Sequence, residues 1–303
     1  MPKTDKIDAI FDRAWNGLLG LVWGDILGSF FEFKPPSIIN PNHMDIVALK
    51  PRLNVFGHQF GHHTDDTALT LAAMDAFAAY GEDNGALYDR HMRCALGYFR
   101  DGAYTAHGYC ADIGGTTAHA LRTYAQGCPD VHRDIANSGN GFIMRLLPFS
   151  LVSLLHIPEA EKQAFYAAQS AMTHGSAICR EVAWKLGEYL EALLAGEPSQ
   201  ARPEFSDTTD VACSPKGYVV GTANIALDSF EQATSLNQAI ISAIRHGYDT
   251  DTNAAVCGML VGVAMGAGDV EQDVIRFLPE IKRLFEAYCK GIRPDPVGSE
   301  GRL

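Results

Sequence analysis

The sequence predicts an all-α fold. Apolar residues recur at intervals of three and four along most of the 303 residues, which is the pattern of the buried face of an amphipathic helix. Alternating runs that indicate strands are nearly absent, and no Asn-Gly turn joins two such runs into a hairpin. No repeat or linker divides the chain, so we expect one helical domain over residues 1–303, although the length alone would allow two.

The first helix is predicted over residues 6–28. Its periodic apolar positions are Ile7, Ile10, Phe11, Ala14, Leu18, Leu21 and Val22. Glycines recur every three or four residues in the same segment, at Gly17, Gly20, Gly24 and Gly28. Each costs about 1 kcal/mol of helix propensity relative to alanine, so we expect this helix to approach a neighbouring backbone closely. A second stripe of this kind consists of Gly258, Gly262 and Gly266.

The same periodicity predicts the remaining helices. They cover residues 65–80, 86–100, 115–126, 142–155, 158–171, 176–195, 217–245, 252–266 and 270–290. The proline-containing segment 34–62 has few periodic apolar residues, and so does the segment 196–216. We interpret both as long loops, which are often functional in compact domains.

Composition argues against several classes of function. The formal net charge of −12 disfavours binding to nucleic acid, which needs a basic surface to displace counterions, and adhesion to anionic membranes. The apolar run 254–268 is too short to cross a bilayer. The seven cysteines are scattered without a CxxC pair, which is typical of reduced thiols. Acidic residues interrupt the N-terminal segment where a signal peptide would be apolar, so we expect a cytoplasmic protein.

Two helix starts carry an unusual number of oxygen atoms. TDDT at 64–67 and DTDT at 249–252 each place two carboxylates and two hydroxyls before an apolar helix. Thr64 alone would be a good N-cap, and acids in a first turn suit the helix dipole. Because capping needs only one such group per helix, the repeated arrangement favours a second purpose.

That second purpose is metal binding, provided that the two helix starts converge. Carboxylate and hydroxyl oxygens suit hard divalent cations, and the absence of histidine from both boxes favours Mg²⁺ or Mn²⁺ over zinc. Each pair of converging carboxylates would repel by about 4 kcal/mol at 4 Å and an effective dielectric of 20. Two divalent cations would remove that repulsion. An EF-hand loop, with its glycine at the sixth position, is not found in the sequence.

These boxes and several other segments resemble the ADP-ribosylglycohydrolase family, from about residue 14 to residue 268. The matching segments are GLLGLVWGDILGSFFEF (17–33), HTDDT (63–67), DIGGTT (112–117), GNGFIMRLLP (139–148), MTH (172–174), GYVV (217–220) and YDTDTNAAVCGMLVGVAMG (248–266). The pattern is nearest to the bacterial branch that acts on arginine, which includes the dinitrogenase reductase-activating glycohydrolases. The resemblance implies an all-α fold with a dinuclear metal site.

The resemblance also implies roles for individual acidic residues. The implied metal ligands are Thr64, Asp65, Asp66, Asp249, Asp251 and Thr252. Glu32 matches an acid that the family places beside the metals, whereas on its own it would be a solvated carboxylate at a helix end. Asp112 matches an acid that the arginine-directed branch keeps near the scissile bond, whereas on its own it would be a loop or N-cap aspartate. Glu32 and Asp112 are thus the candidate catalytic residues.

A binding site for ADP-ribose follows from the same resemblance. Gly139, Asn140 and Gly141 resemble the family's phosphate and ribose loop, in which N–H groups approach an anion, although most such tripeptides are turns. Tyr218 matches an aromatic residue that stacks on adenine, but a tyrosine at helical spacing is more often core or rim. His174, from a Thr-His pair, is equally a ligand contact or a local structural residue.

The chain departs from the family pattern at three places. Tyr248 stands where arginine-directed relatives often have glycine, Gly221 replaces a common aspartate, and the segment after MTH lacks a second histidine. These differences leave the metal residues intact and bear on the acceptor. Arg145 is expected to form a structural ion pair, and His62 and His63 receive no role.

The implied activity is metal-dependent hydrolysis of an ADP-ribose–protein bond, first of all the N-glycosidic bond to arginine. Other acceptors are alternatives, namely serine, O-acetyl-ADP-ribose or a nucleic-acid base. A binding protein with an eroded site is a further alternative, although all six metal positions are retained. So is an immunity protein that neutralises an ADP-ribosyltransferase toxin. The expected partner is an ADP-ribosylated protein, without nucleic acid and without integral membrane association.

Overall fold

Twelve α-helices make up most of the chain that the structure describes. This part of the computed structural model comprises residues 3–40, 44–81, 86–127, 138–197, 201–208, 214 and 216–294. The helices are α1 (Lys3–Gly28), α2 (Ile46–Leu49), α3 (Asp65–Phe77), α4 (Leu87–Asp101), α5 (Gly115–Ala125), α6 (Leu146–His156), α7 (Glu159–Ala171), α8 (Ala177–Ala195), α9 (Val219–Glu231), α10 (Leu236–Ile244), α11 (Thr250–Met265) and α12 (Leu278–Ile292). These ranges contain no β-strand beyond two isolated bridges. The all-α prediction is confirmed.

The helices α1 and α11 lie antiparallel against each other in the core. A Cβ atom built on Gly20 would stand closer than 3.0 Å to the carbonyl oxygen of Gly258, and the reverse also holds. At the far end, a Cβ atom on Gly28 would clash in the same way with the backbone of Thr250. Backbones can come this close only where neither residue carries a side chain. The expected close approach is confirmed: the first glycine stripe lies along α11, where Gly20 meets Gly258 and Gly24 meets the backbone of Ala254.

This antiparallel contact positions the candidate site. Because the end of α1 meets the start of α11, the residues that follow Gly28 lie beside the DTDT box. The helix α3, which begins with the TDDT box, packs against α1 and α11 and between α4 and α12. A second hydrophobic cluster is formed mainly by residues of α3, α4 and α5. Tyr104, Cys110 and Ile113 of the loop 102–114 pack against this cluster. The segments that hold the candidate residues therefore come from distant parts of the chain.

One predicted helix is wrong in extent. The segment 217–245 forms two helices, α9 and α10, because Ser235 stands between them as an N-cap. Its hydroxyl oxygen accepts a hydrogen bond from Gln238 N at 3.3 Å, and serine favours such caps over helix interiors. The last predicted helix also starts too early, since α12 begins just before Pro279, which suits a first turn. In the described residues of the segment 34–62, which exclude 41–43, the predicted loop contains, as helical structure, only a short 3-10 turn at Pro36–Ile38 and the helix α2.

Two predictions from composition can be compared with the described residues. No helix among them is long and apolar enough to span a membrane. Five cysteines are free thiols: Cys94, Cys110, Cys179, Cys257 and Cys289. Cys128 and Cys213 lie outside the described residues, as does part of the loop 196–216. The assignment of residues 1–303 to one domain stays a prediction.

We predict that Gly258→Ala destabilises the protein by about 1–3 kcal/mol or more, because the added methyl group collides with the backbone of α1. The matched control is Gly97→Ala in α4, where the nearest atom would lie at an ordinary 3.6 Å. That substitution should stabilise the helix by up to about 1 kcal/mol. Chemical denaturation measures both changes, and equal stability of the two variants would contradict the close contact.

Candidate active site

Asp25, near the end of α1, caps the start of α3. Its carboxylate accepts hydrogen bonds from Thr64 N at 2.9 Å and from Thr67 N at 3.0 Å. The hydroxyls of both threonines also donate to it, at 2.7 and 2.6 Å. Thr64 occupies the N-cap position but makes no cap with its own side chain. The capping interpretation of Thr64 is therefore wrong, and Asp25 instead accepts from two of the backbone N–H groups at the start of α3.

Glu32 caps α11 in a similar way. Its Oε2 accepts hydrogen bonds from Thr250 N at 2.6 Å and from Asp251 N at 3.2 Å. The side chain is only 4% exposed, so the alternative of a solvated helix-end carboxylate is wrong. Burial, reinforced by the negative charge of Asp249, raises the pKa of Glu32 to about 8. Both helix starts are thus capped by carboxylates from the α1 end of the chain.

The capped helix starts bring their own carboxylates together. Glu32, Asp249 and Asp251 each offer a carboxylate oxygen, and these oxygens lie within 4.8 Å of one another. Asp66 of α3 joins this group because the Thr252 hydroxyl donates to its Oδ2 at 3.3 Å. The convergence of the TDDT and DTDT boxes, which metal binding requires, is present in the structure.

These carboxylates lack a compensating positive charge. No lysine or arginine in the described part of the chain forms a salt bridge with them. Burial, and then repulsion from neighbouring carboxylates, raises the pKa values of Asp65, Asp66 and Asp251 well above the ordinary range. Oδ1 of Asp66 is buried and has no hydrogen-bond partner. The donor set and the unpaired oxygen fit a hard divalent cation.

A cavity of about 330 Å³ opens onto this cluster. It is lined by most of the predicted site residues: Glu32, Asp65, Asp112, Gly139, Asn140, Gly141, His174, Asp249, Asp251 and Thr252. Thr64 and Asp66 lie fully buried beneath it, and Tyr218 is not among the lining residues. A larger cavity of about 430 Å³ lies elsewhere, where Lys162 and the buried Glu191 pair with each other at 2.6 Å. The carboxylate cluster thus opens onto the smaller cavity and not onto the larger one.

The GNG loop forms one wall of the smaller cavity. A Cβ atom on Gly141 would lie 2.8 Å from the Thr117 hydroxyl and 3.1 Å from the His174 ring, so only glycine leaves this wall open. The Asn140 amide donates to Asp249 Oδ2 at 2.9 Å and to the Thr222 hydroxyl at 2.8 Å. The loop is therefore attached to the carboxylate cluster through Asn140.

Arg145 differs from its prediction. In the described ranges it forms no ion pair, although it is only 1% exposed. Its Nη2 donates to the Thr173 hydroxyl at 2.5 Å, and that hydroxyl lies 2.8 Å from Nδ1 of His174. Burial lowers the pKa of Arg145 to about 9. Arg145 thus supports the Thr-His pair instead of pairing with a carboxylate.

Asp112 lines the cavity, whereas Tyr218 lies beside the GNG loop, where it forms an isolated bridge with Gly139. The Tyr218 hydroxyl donates to Asp207 Oδ2 at 2.5 Å, and its proposed stacking on adenine stays a prediction. Asp112 is partly exposed, and its backbone carbonyl accepts a hydrogen bond from the Tyr98 hydroxyl at 2.6 Å. Burial raises the pKa of the Asp112 carboxyl to about 6, although the Ile113 N–H opposes this shift.

Comparison with known protein families matches residues 6–295 to the ADP-ribosylglycohydrolase family. The chain belongs to this family. The ADP-ribosylarginine hydrolase Tri1 of Pseudomonas putida is 29% identical over 278 residues, covering 84% of this chain and 71% of the relative. The ADP-ribosyl-[dinitrogen reductase] glycohydrolase of Rhodospirillum rubrum is 27% identical over 281 residues, covering 86% and 88%.

A solved structure supports the fold of this ADP-ribosylglycohydrolase. It is described as an ADP-ribosylglycohydrolase-related protein complex, and it aligns with a TM-score of 0.70 at 24% identity. The alignment covers 94% of this chain and 99% of that chain. The predicted family and the predicted all-α architecture are both confirmed.

Sequence reasoning gave no role to Asp25, Thr67 and Thr250, which hold the two helix starts. A signal for Asp25 was available, because a carboxylate inside the apolar run LVWGDILG must find partners when it is buried. Thr67 and Thr250 belong to the two boxes, and their hydroxyls donate to Asp25 and Glu32. Their role depends on which carboxylate faces them, which the sequence does not specify.

We predict that divalent cations bind more tightly as the pH rises from 6 to 8. Without a cation, the raised pKa values of Glu32, about 8, and Asp112, about 6, keep protons in the site at pH 6. A cation binds the ionised carboxylates and must release these protons. Calorimetric titration in two buffers with different ionisation enthalpies measures both the affinity and the protons released. An affinity that is independent of pH, without proton release, would contradict this electrostatic description.

The stability of chelator-treated protein gives the matching control. A carboxyl whose pKa is higher in the folded than in the unfolded state contributes stability below its unfolded pKa, 4.5 for Glu32. That contribution is lost as the pH rises through the folded pKa of about 8. The Tm of cation-free protein should therefore fall between pH 5 and 8, and added cation should reverse the fall.

Proposed function

We propose that this chain hydrolyses the N-glycosidic bond between ADP-ribose and an arginine side chain of a protein, using two divalent cations, Mg²⁺ or Mn²⁺. The main support for this proposal is that Asp65 of α3, Asp249 and Asp251 at the start of α11, and Asp112 all line one cavity. The name of the Pseudomonas putida relative, an ADP-ribosylarginine hydrolase, supports arginine as the acceptor.

Six residues are proposed to hold the cations. They are Thr64, Asp65, Asp66, Asp249, Asp251 and Thr252. Their oxygens are hard donors, and burial, followed by repulsion from neighbouring carboxylates, raises the pKa values of Asp65, Asp66 and Asp251. Bound cations supply the positive charge that orients substrate hydroxyls and stabilises charge developing in the transition state.

Asp112 is proposed to act at the scissile bond. Asp112 is a partly buried carboxyl that lines the cavity, and such a group can accept and return a proton at the reacting atoms. Hydrolysis removes a proton from the attacking water and returns a proton to the departing guanidine, so one carboxylate acting twice balances both transfers. A carboxylate is also a natural partner for guanidinium. Glu32 is proposed as a second catalytic residue that depends less on the acceptor. Its Oε2 already accepts a hydrogen bond from Thr250 N at the start of α11.

The rest of the cavity is proposed to bind the ADP-ribose moiety. Gly139, Asn140 and Gly141 would hold the diphosphate and ribose, and His174 would complete that wall. Tyr218 would stack on adenine from beside the loop, since it forms an isolated bridge with Gly139. The proposed partner is an ADP-ribosylated protein. A toxin partner and a cytoplasmic location stay predictions from the sequence.

A panel of three conjugates tests the acceptor. ADP-ribosyl-arginine peptide, ADP-ribosyl-serine peptide and O-acetyl-ADP-ribose are incubated with the protein and Mg²⁺ or Mn²⁺, and free ADP-ribose is measured by chromatography. We expect release from arginine that chelator abolishes. Release from serine but not from arginine, with either cation, would contradict the proposed acceptor while leaving the family assignment intact.

We predict that Asp112→Asn lowers turnover of the arginine conjugate by about 100-fold or more, the scale of general acid–base catalysis. Its Kd for ADP-ribose should change by less than about 3-fold, because the product lacks the guanidine that Asp112 faces in this mechanism. Asp101→Asn makes the same chemical change at an exposed position at the end of α4 and should leave both quantities unchanged. Equal losses of turnover and ADP-ribose binding in Asp112→Asn would indicate a binding role instead.

A further inference from the structure

Phe33 is an exposed aromatic residue at the edge of the cavity, directly after Glu32. Phe33 lines the cavity and is 66% exposed, whereas Phe30 and Phe31 are each 3% exposed. Apolar side chains stabilise a fold in proportion to the area they bury. Burial therefore does not explain an aromatic ring at this position.

The backbone of Phe33 is also unfavourable for a side chain. Its φ is 64°, in the left-handed region that costs every residue except glycine. A pair of backbone hydrogen bonds holds it there: Phe33 N donates to Tyr248 O at 2.6 Å, and Tyr248 N donates to Lys34 O at 2.7 Å. Tyr248 has a φ of 60° itself. Glycine would fit position 33 without strain, so the retained ring points to a role outside stability.

Contacts among the loop 139–141, Asp249 and Glu32 indicate where Phe33 would lie if ADP-ribose were bound. The 139–141 loop is joined to Asp249 by a hydrogen bond of 2.9 Å, and Asp249 in turn lies within 4.8 Å of Glu32. Phe33 follows Glu32 directly and lines the same cavity as the loop. If ADP-ribose lies along the loop with its reacting ribose at the carboxylates, we expect the group attached to that ribose to lie near Glu32 and Phe33.

We propose that Phe33 is a specificity-determining residue whose ring receives the guanidinium of the acceptor arginine. Guanidinium groups stack on aromatic faces through cation–π attraction. Phe56 contacts the Phe33 ring edge-on, with centroids 6.1 Å apart and planes at 82°, and so supports the ring without covering both faces. Asp112, in the same cavity, supplies the negative charge for the same group. This inference rests on the proposed arginine acceptor.

The test compares the wild type with Phe33→Gly, Phe33→Trp and the control Met265→Ala, which removes an exposed apolar side chain at the opposite end of α11. The KM for an ADP-ribosyl-arginine peptide should rise by about 3- to 30-fold in Phe33→Gly. The Kd for ADP-ribose should change by less than about 2-fold, because ADP-ribose carries no cation. Phe33→Trp should keep the wild-type KM, and Met265→Ala should change neither quantity.

Protein stability separates this role from a structural one. Phe33→Gly should unfold at the same temperature as the wild type or a higher one, because glycine relieves the backbone strain at φ 64°. An unchanged KM in Phe33→Gly, or a KM that rises in parallel with the Kd for ADP-ribose, would overturn the role of Phe33 and leave the proposed function standing. Failure of the wild type itself to release ADP-ribose from the arginine peptide would instead overturn the proposed function.

Discussion

The antiparallel contact between α1 and α11 is the constraint on which the candidate site depends. The glycine stripes let the two backbones touch, with Gly20 against Gly258. As a result, the end of α1 reaches the first turns of both α3 and α11. Asp25 and Glu32 then accept the hydrogen bonds that those helix starts would otherwise make with their own side chains. The glycines of the α1–α11 contact thus determine which carboxylates cap helices and which are available to bind a cation.

Because some carboxylates cap helices and others do not, the carboxylates that do not cap are left without compensating positive charge among the described residues. Since Asp25 and Glu32 cap the helices, the carboxylates of Asp65, Asp66, Asp249 and Asp251 remain available as oxygen ligands. They are buried together without a lysine or arginine partner among the described residues, and their pKa values rise. Burying unpaired charge costs free energy that the fold must supply elsewhere. A site of this kind is expected to gain stability when divalent cations bind, because binding to the folded state alone shifts the folding equilibrium.

The sequence predicts the helices well and the geometry of the site only in part. Periodicity identifies α1, α3 and α11 because each has a long apolar pattern, whereas it misses the break at Ser235, where a local cap competes with the helix. The acidic boxes stand out by composition, but their convergence depends on how distant helices pack. The capping role of Asp25 also cannot be predicted from the sequence, because it depends on α3 starting beside Asp25 in the folded chain. Phe33 is recognisable only from its exposure and its positive φ, which no sequence pattern reveals.

The buried carboxylates of α3 and α11 are proposed to form a site for two divalent cations. Anomalous X-ray scattering from crystals grown with Mn²⁺ near pH 7.5 tests this proposal most directly, because the cations are then located individually. We expect two anomalous peaks, both bounded by Asp65, Asp66, Asp249 and Asp251, at distances typical of oxygen ligands. Crystals that contain Mn²⁺ elsewhere but show no peak among these four carboxylates would contradict the proposal.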